Sequence, residues 1–236
     1  MTLSLRATGR SGNHQWATRG PSRYHDRVPD VPPQSIDPQA PYLRPYTRAA
    51  ARTRGKFESL LWASPDTQRA RFDALCRIVN MNGARVLDVG CGRADLLEHF
   101  VRRNVHPAEY VGIEAVPELV AVAREAAARS PVARIVQGDF VMDAERLFAG
   151  AEVVVVSGAL NTVPADTFHR VLRAAHAAAG RCVAFNFLCS SSLAAADYLY
   201  WHRTDEVMAF ARTVTPVVHK LEDYLEGDCT IMMGKP

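Results

Sequence analysis

Residues 84–100 read Ala-Arg-Val-Leu-Asp-Val-Gly-Cys-Gly-Arg-Ala-Asp-Leu-Leu-Glu-His-Phe. Arg85-Val86-Leu87-Asp88-Val89 has the character of a short buried strand, and Gly90-Cys91-Gly92 that of a tight turn. Asp95 then opens a helix that carries Leu96, Leu97 and Phe100 on one side. Strand, turn and helix are half of a βαβ unit. A glycine turn in that place lets the backbone come close to a ligand and aims the helix's free N–H groups at it.

Two ligand classes use such a turn, and spacing separates them. A dinucleotide fingerprint, Gly-x-Gly-x-x-Gly, needs its third glycine at position 95, which is Asp95. A carboxylate facing a pyrophosphate repels it, which argues against a nicotinamide oxidoreductase. The run Asp88-Val89-Gly90-Cys91-Gly92-Arg93-Ala94 instead resembles the first motif of class I S-adenosylmethionine (SAM) methyltransferases, acidic-x-Gly-x-Gly-x-Gly, with Ala94 in place of the last glycine. The resemblance implies that Asp88, Gly90, Cys91 and Gly92 lie at a SAM site. SAM carries an amino-acid tail and a sulfonium instead of phosphates, so its site need not attract anions.

Working outward, Glu109–Glu114 reads as a second strand ending in an acid. Glu114 stands twenty-two residues past Gly92, where doubly wound folds place a carboxylate that accepts from ribose hydroxyls. Pro117 opens an Ala-rich helix. Residues 132–137 form a third strand, followed by Gly138-Asp139-Phe140. These resemble the family's segment after its third strand, which implies Asp139 for the adenine amino group and Phe140 beside the ring.

Residues 151–156 are a largely β-branched run, as expected of a central parallel strand covered on both faces. It ends in Ser157-Gly158-Ala159-Leu160-Asn161. Ligands bind outside the carboxyl ends of such strands, so Ser157 is expected at the cofactor and Asn161 on the acceptor side. Capping of the helix near Pro164 is the alternative role for Asn161. The Asn/Asp-Pro-Pro-Tyr signature of amino-group nucleic-acid methyltransferases does not occur here.

A capped helix ending at Gly180 and a fifth strand, 182–188, come next, then a loop and a short helix at 205–213. Residues 216–224 and 229–234 read as a closing hairpin. The expectation is an α/β fold: a doubly wound, Rossmann-like, mostly parallel seven-stranded sheet with one antiparallel strand in the C-terminal hairpin. Upstream, a helix is expected over 46–62 and another from Ser64-Pro65-Asp66 to about Asn80. The family resemblance implies that these leading helices, 46–80, cover the cofactor within a domain spanning 46–236.

Residues 1–45 hold seven of the fourteen prolines and six arginines against three aspartates. That is the whole net charge of +3, so the remainder is balanced. A disordered basic arm is expected there. A body without basic excess makes nucleic acid an unlikely acceptor by count, although an RNA methyltransferase using the arm is an alternative. No run of eighteen apolar residues suggests a membrane span. The five cysteines form no CxxC pair, which fits reduced thiols in a cytoplasm and no structural metal.

Methyl transfer is an in-line displacement at a carbon the sulfonium already activates, and positioning alone can supply on the order of 7–11 kcal/mol. A general base is optional. His202 is the candidate by residue type, in the aromatic company of Tyr198, Tyr200 and Trp201. Trp62, Trp201 and Tyr224 are candidates for walling a small-molecule acceptor. A SAM-binding partner subunit without turnover is the further alternative; the acceptor, the methylated atom and the oligomeric state are not legible in the sequence.

Overall fold

The computed structural model describes residues 35–148 and 150–236. Seven strands form one sheet: β1 (Arg85–Val89), β2 (Glu109–Glu114), β3 (Ala133–Gln137), β4 (Val153–Ser157), β5 (Cys182–Leu188), β6 (Val218–Leu221) and β7 (Asp228–Gly234). Their order is β3-β2-β1-β4-β5-β7-β6, parallel except for β7, which runs antiparallel to both β5 and β6. The expected sheet is therefore the observed one. The order reverses between β1 and β4, and a crevice opens there at the strands' carboxyl ends.

Helices cover both faces, as a parallel sheet requires. In chain order they are α1 (Arg44–Thr53), α2 (Pro65–Ile78), α3 (Asp95–Arg103), α4 (Pro117–Ala127), α5 (Ala144–Leu147), α6 (Ala165–Ala178) and α7 (Thr204–Val214). The four consecutive valines of β4 show why the run is apolar throughout. Val153 and Val155 pack with Phe72 and Leu75 of α2 and Phe100 of α3, while Val154 and Val156 pack with Phe168 and Leu172 of α6. Alternation sends successive side chains to opposite faces, and both faces here are core.

Three boundaries differ from the sequence reading. The helix expected over 46–62 is α1 followed by a separate 3-10 turn, Phe57–Leu60. Arg54 and Gly55 both take positive φ between them, ending α1 in the usual left-handed way. A Cβ on Gly55 would stand 2.9 Å from Val122 and 3.0 Å from the Glu118 carbonyl of α4, so close packing selects glycine there. The C-terminal hairpin has a shorter first strand than expected, and Tyr224 falls in its connection.

The arm expected over 1–45 lies largely outside the described residues, but its last part does not behave as an arm. Ala40 and Leu43 are buried against Ala115, and Tyr42 packs against the main core. The body thus begins before position 46. Among the described residues no helix is long and apolar enough to cross a membrane.

Candidate cofactor and acceptor cleft

The crevice at the switch point is a cleft of about 940 Å³, counting the space open to solvent. Its floor is the turn after β1. Gly90 and Gly92 have φ of 69° and 57°, and Ala94 enters the left-handed region at 60° before α3 begins. A Cβ on Gly90 would collide with the Cβ of Ala159, and one on Gly92 would lie 2.6 Å from Leu60. Both glycines are required by conformation and by close approach.

Glu114, at the end of β2, ties this floor together. Its Oε2 accepts from the Gly92 amide at 2.9 Å, and its Oε1 accepts from the amides of Ala115 (2.8 Å) and Val116 (2.9 Å). Burial nonetheless pushes its carboxyl up to about 7. Asp88 lines the cleft beside it and accepts from the Tyr110 hydroxyl at 2.6 Å. Burial, reinforced by Glu114 and Asp95, pushes Asp88 up to about 7 as well. Asp95 accepts from Gln68 of α2 at 3.1 Å, so the residue that spoils a dinucleotide motif clamps α3 to the covering helix.

The other expected cofactor residues divide. Cys91, Phe140 and Ser157 line the cleft. The Cys91 thiol itself faces Gly112, where a Cβ would stand 2.7 Å from it, and its buried environment raises its pKa, so it packs and does not react. Asp139 lies behind the wall: Oδ1 accepts from Val141, and Oδ2 accepts from the Tyr42 hydroxyl at 2.6 Å.

At the β4 end, Asn161 lines the cleft in the 3-10 turn. Its Oδ1 accepts weakly from the Leu188 amide at 3.4 Å. The alternative role as a cap is not taken: Pro164 occupies the N-cap of α6 and no side chain caps that helix. Trp62 lines the cleft. Trp201 does not; it is 43% exposed on the outer surface. Tyr224 stands one layer back, donating to Asp228 and accepting from Thr230.

His202 also lies outside the cleft wall. Its ring packs 4.3 Å from that of Phe168, its Nε2 is buried without a partner, and burial lowers its pKa. It is a neutral packing histidine in the α6 layer, a correction to its candidacy as a base. Sequence reasoning missed Arg71, Gln68, Tyr42 and Leu199, all of which line the cleft. A signal existed for two of them: Gln68 and Arg71 share the helical stripe of Phe72 and Leu75, polar groups where an inward face is otherwise apolar.

A family model described as a methyltransferase domain matches residues 86–179. The ubiquinone biosynthesis O-methyltransferase of Xylella fastidiosa is 46% identical over 54 residues, 23% of this chain and 21% of that one. The chain thus matches about a fifth of the length of that curated relative. Among solved structures, magnesium protoporphyrin IX methyltransferase from Synechocystis with bound SAH aligns at a TM-score of 0.61 and 13% identity, covering 82% of this chain and 98% of that one. The CcbJ methyltransferase from Streptomyces caelestis aligns at 0.58 and 14%, covering 81% and 98%.

The residues present fit SAM. The Gly90 and Gly92 positions admit no side chain, and Glu114 sets a buried carboxylate in the cleft lining beside them. Sheet order, glycine turn and acid at the end of β2 agree with the matched domain: residues 86–179 match a methyltransferase domain, and the chain has the fold of S-adenosylmethionine-dependent methyltransferases.

Proposed function

We propose that this chain transfers the S-methyl group of SAM to a small-molecule acceptor held between Asn161 and Trp62. The observation that carries this reading is the Glu114–Gly92 floor at the switch point, continuous with a wall that holds Ser157, Asn161 and Thr162 at the end of β4 and in the turn after it. SAM supplies a methyl carbon already activated by its sulfonium. The chain supplies alignment: Gly90 and Gly92 admit the cofactor's tail closely, Glu114 fixes the ribose, and Asn161 presents an amide that orients an acceptor. Cover residues Leu60 and Trp62 exclude water above the turn. Among the described residues no histidine lines the cleft, and the acceptor's proton leaves through solvent or through a carboxylate such as Asp88.

A small acceptor is supported by the relatives, whose names specify ubiquinone biosynthesis and magnesium protoporphyrin IX. The test is incubation of the protein with methyl-labelled SAM and, separately, a metabolite extract and total RNA. Label in a low-molecular-weight product is expected, and label in RNA alone would overturn the small-molecule reading.

A further inference from the structure

Arg71 projects from α2 into the cleft wall, and none of the hydrogen bonds that tie Glu114 to the glycine turn involves it. Its side chain is 7% exposed and pairs through Nη2 with Asp228, whose side chain is 0% exposed. The guanidinium lies 4.7 Å over the ring of Trp62. Its Nε is buried without a hydrogen-bond partner. Nη1 reaches to 3.3 Å from the point a Cβ on Gly158 would occupy, directly after β4.

A layer of side chains holds this arginine in place. The Ser157 hydroxyl donates to Asn186 at 2.7 Å, and the Asn186 amide donates to Thr230 at 2.7 Å and to the Arg71 carbonyl at 3.4 Å. Thr230 donates to Tyr224 at 2.8 Å, and Tyr224 donates to Asp228. Such an ion pair is a poor source of stability, since apolar replacements of buried pairs are often neutral or stabilising. A buried donor left without a partner calls for a further explanation.

We propose that Arg71 anchors a carboxylate of the methyl acceptor. This rests on the methyltransferase reading and names the acceptor's chemical class. A guanidinium is a planar fork suited to bidentate carboxylate recognition, and here Asp228 occupies one corner and leaves the others to a ligand. The strand order says which ligand. The cradle is built on β1 and β2, whereas Arg71's partners come from the end of β4, from β5 and from β7, on the opposite side of the switch point. Gly90 and Gly92, which would admit the cofactor's tail closely, lie on the β1 side.

Calorimetry tests this with benzoate and benzamide titrated into protein saturated with S-adenosylhomocysteine. Benzoate should bind at least ~10-fold more tightly than the isosteric amide. Arg71→Lys should reduce that preference. Arg71→Met alone strands a buried carboxylate, so the decisive variant is Arg71→Met with Asp228→Asn, which removes both charges and should abolish the preference. That variant should bind S-adenosylhomocysteine and tail-less 5′-methylthioadenosine as the wild type does. Absence of any preference in the wild type, or its survival in the double variant, overturns the proposal. So does selective loss of S-adenosylhomocysteine affinity with 5′-methylthioadenosine binding retained, because Arg71 would then hold the cofactor's tail. A wild type that binds no S-adenosylhomocysteine removes the methyltransferase reading itself, and this inference with it.

Discussion

The hydroxyl of Tyr42 donates to Oδ2 of Asp139 at 2.6 Å, joining positions 97 apart in the chain. With Ala40 and Leu43 buried against Ala115, it fastens the segment before α1 onto the loop after β3. Burial, and Asp139 itself, hold the tyrosine above its ordinary pKa, so it stays a donor throughout the usable pH range. Tyr42→Phe should cost about 1 kcal/mol in urea unfolding. Truncation of residues 1–45 should cost more, because burying one large apolar side chain contributes roughly 1.5–3 kcal/mol. A truncated protein as stable as the full chain would contradict this packing.

Asp88 and Glu114 predict an unusual pH dependence. Burial raises both to about 7 in the folded state, above the ordinary carboxylate range reached on unfolding. The folded protein therefore binds these protons more tightly than the unfolded chain does. The resulting stability is full below about pH 4 and is lost as pH rises through 7. Asp88→Asn keeps an acceptor for Tyr110 but removes one of the two titrations. Between pH 5 and 8 the wild type should lose on the order of a few kcal/mol relative to this variant. Parallel urea-midpoint profiles for the two proteins would show that Asp88 titrates normally.

Asn161→Ala separates binding from turnover. The amide is buried in the cleft wall, and its oxygen makes one long bond to Leu188. Stability should fall by only about 1 kcal/mol, and affinity for S-adenosylhomocysteine should be unchanged within twofold. Once an acceptor is identified, its methylation rate should drop by roughly 10-fold or more, the scale on which loss of positioning acts. Full turnover by the folded variant would remove Asn161 from the acceptor side.

The glycine-turn side of the cleft was legible in the sequence because local rules generate it. A glycine turn between strand and helix, and an acid at the end of the next strand, each sit within one βα unit. The side formed by α2 and the end of β4 was not legible, because it is assembled from distant parts. Arg71 reads as an ordinary helix residue until Asp228, 157 positions later, is brought opposite it by the antiparallel β7. His202 failed for the converse reason. Its aromatic neighbours in sequence suggested a site, but the backbone bond from its amide to Leu188 turns its ring onto Phe168 and away from the cleft. Gly55 carried the missed break after α1 in plain view, through its conformational freedom.

The most direct test of the account is calorimetric titration of S-adenosylhomocysteine into the wild type and into Glu114→Ala, with NADH as a control ligand. One-to-one saturable binding to the wild type is expected, with no displacement by NADH. The variant loses the acceptor for the ribose hydroxyls and the tie to Gly92. At roughly 1.5–3 kcal/mol per bond to a charged acceptor, its affinity should fall at least ~10-fold. Unchanged affinity in a folded Glu114→Ala protein, or no binding by the wild type, would contradict the cofactor site described here.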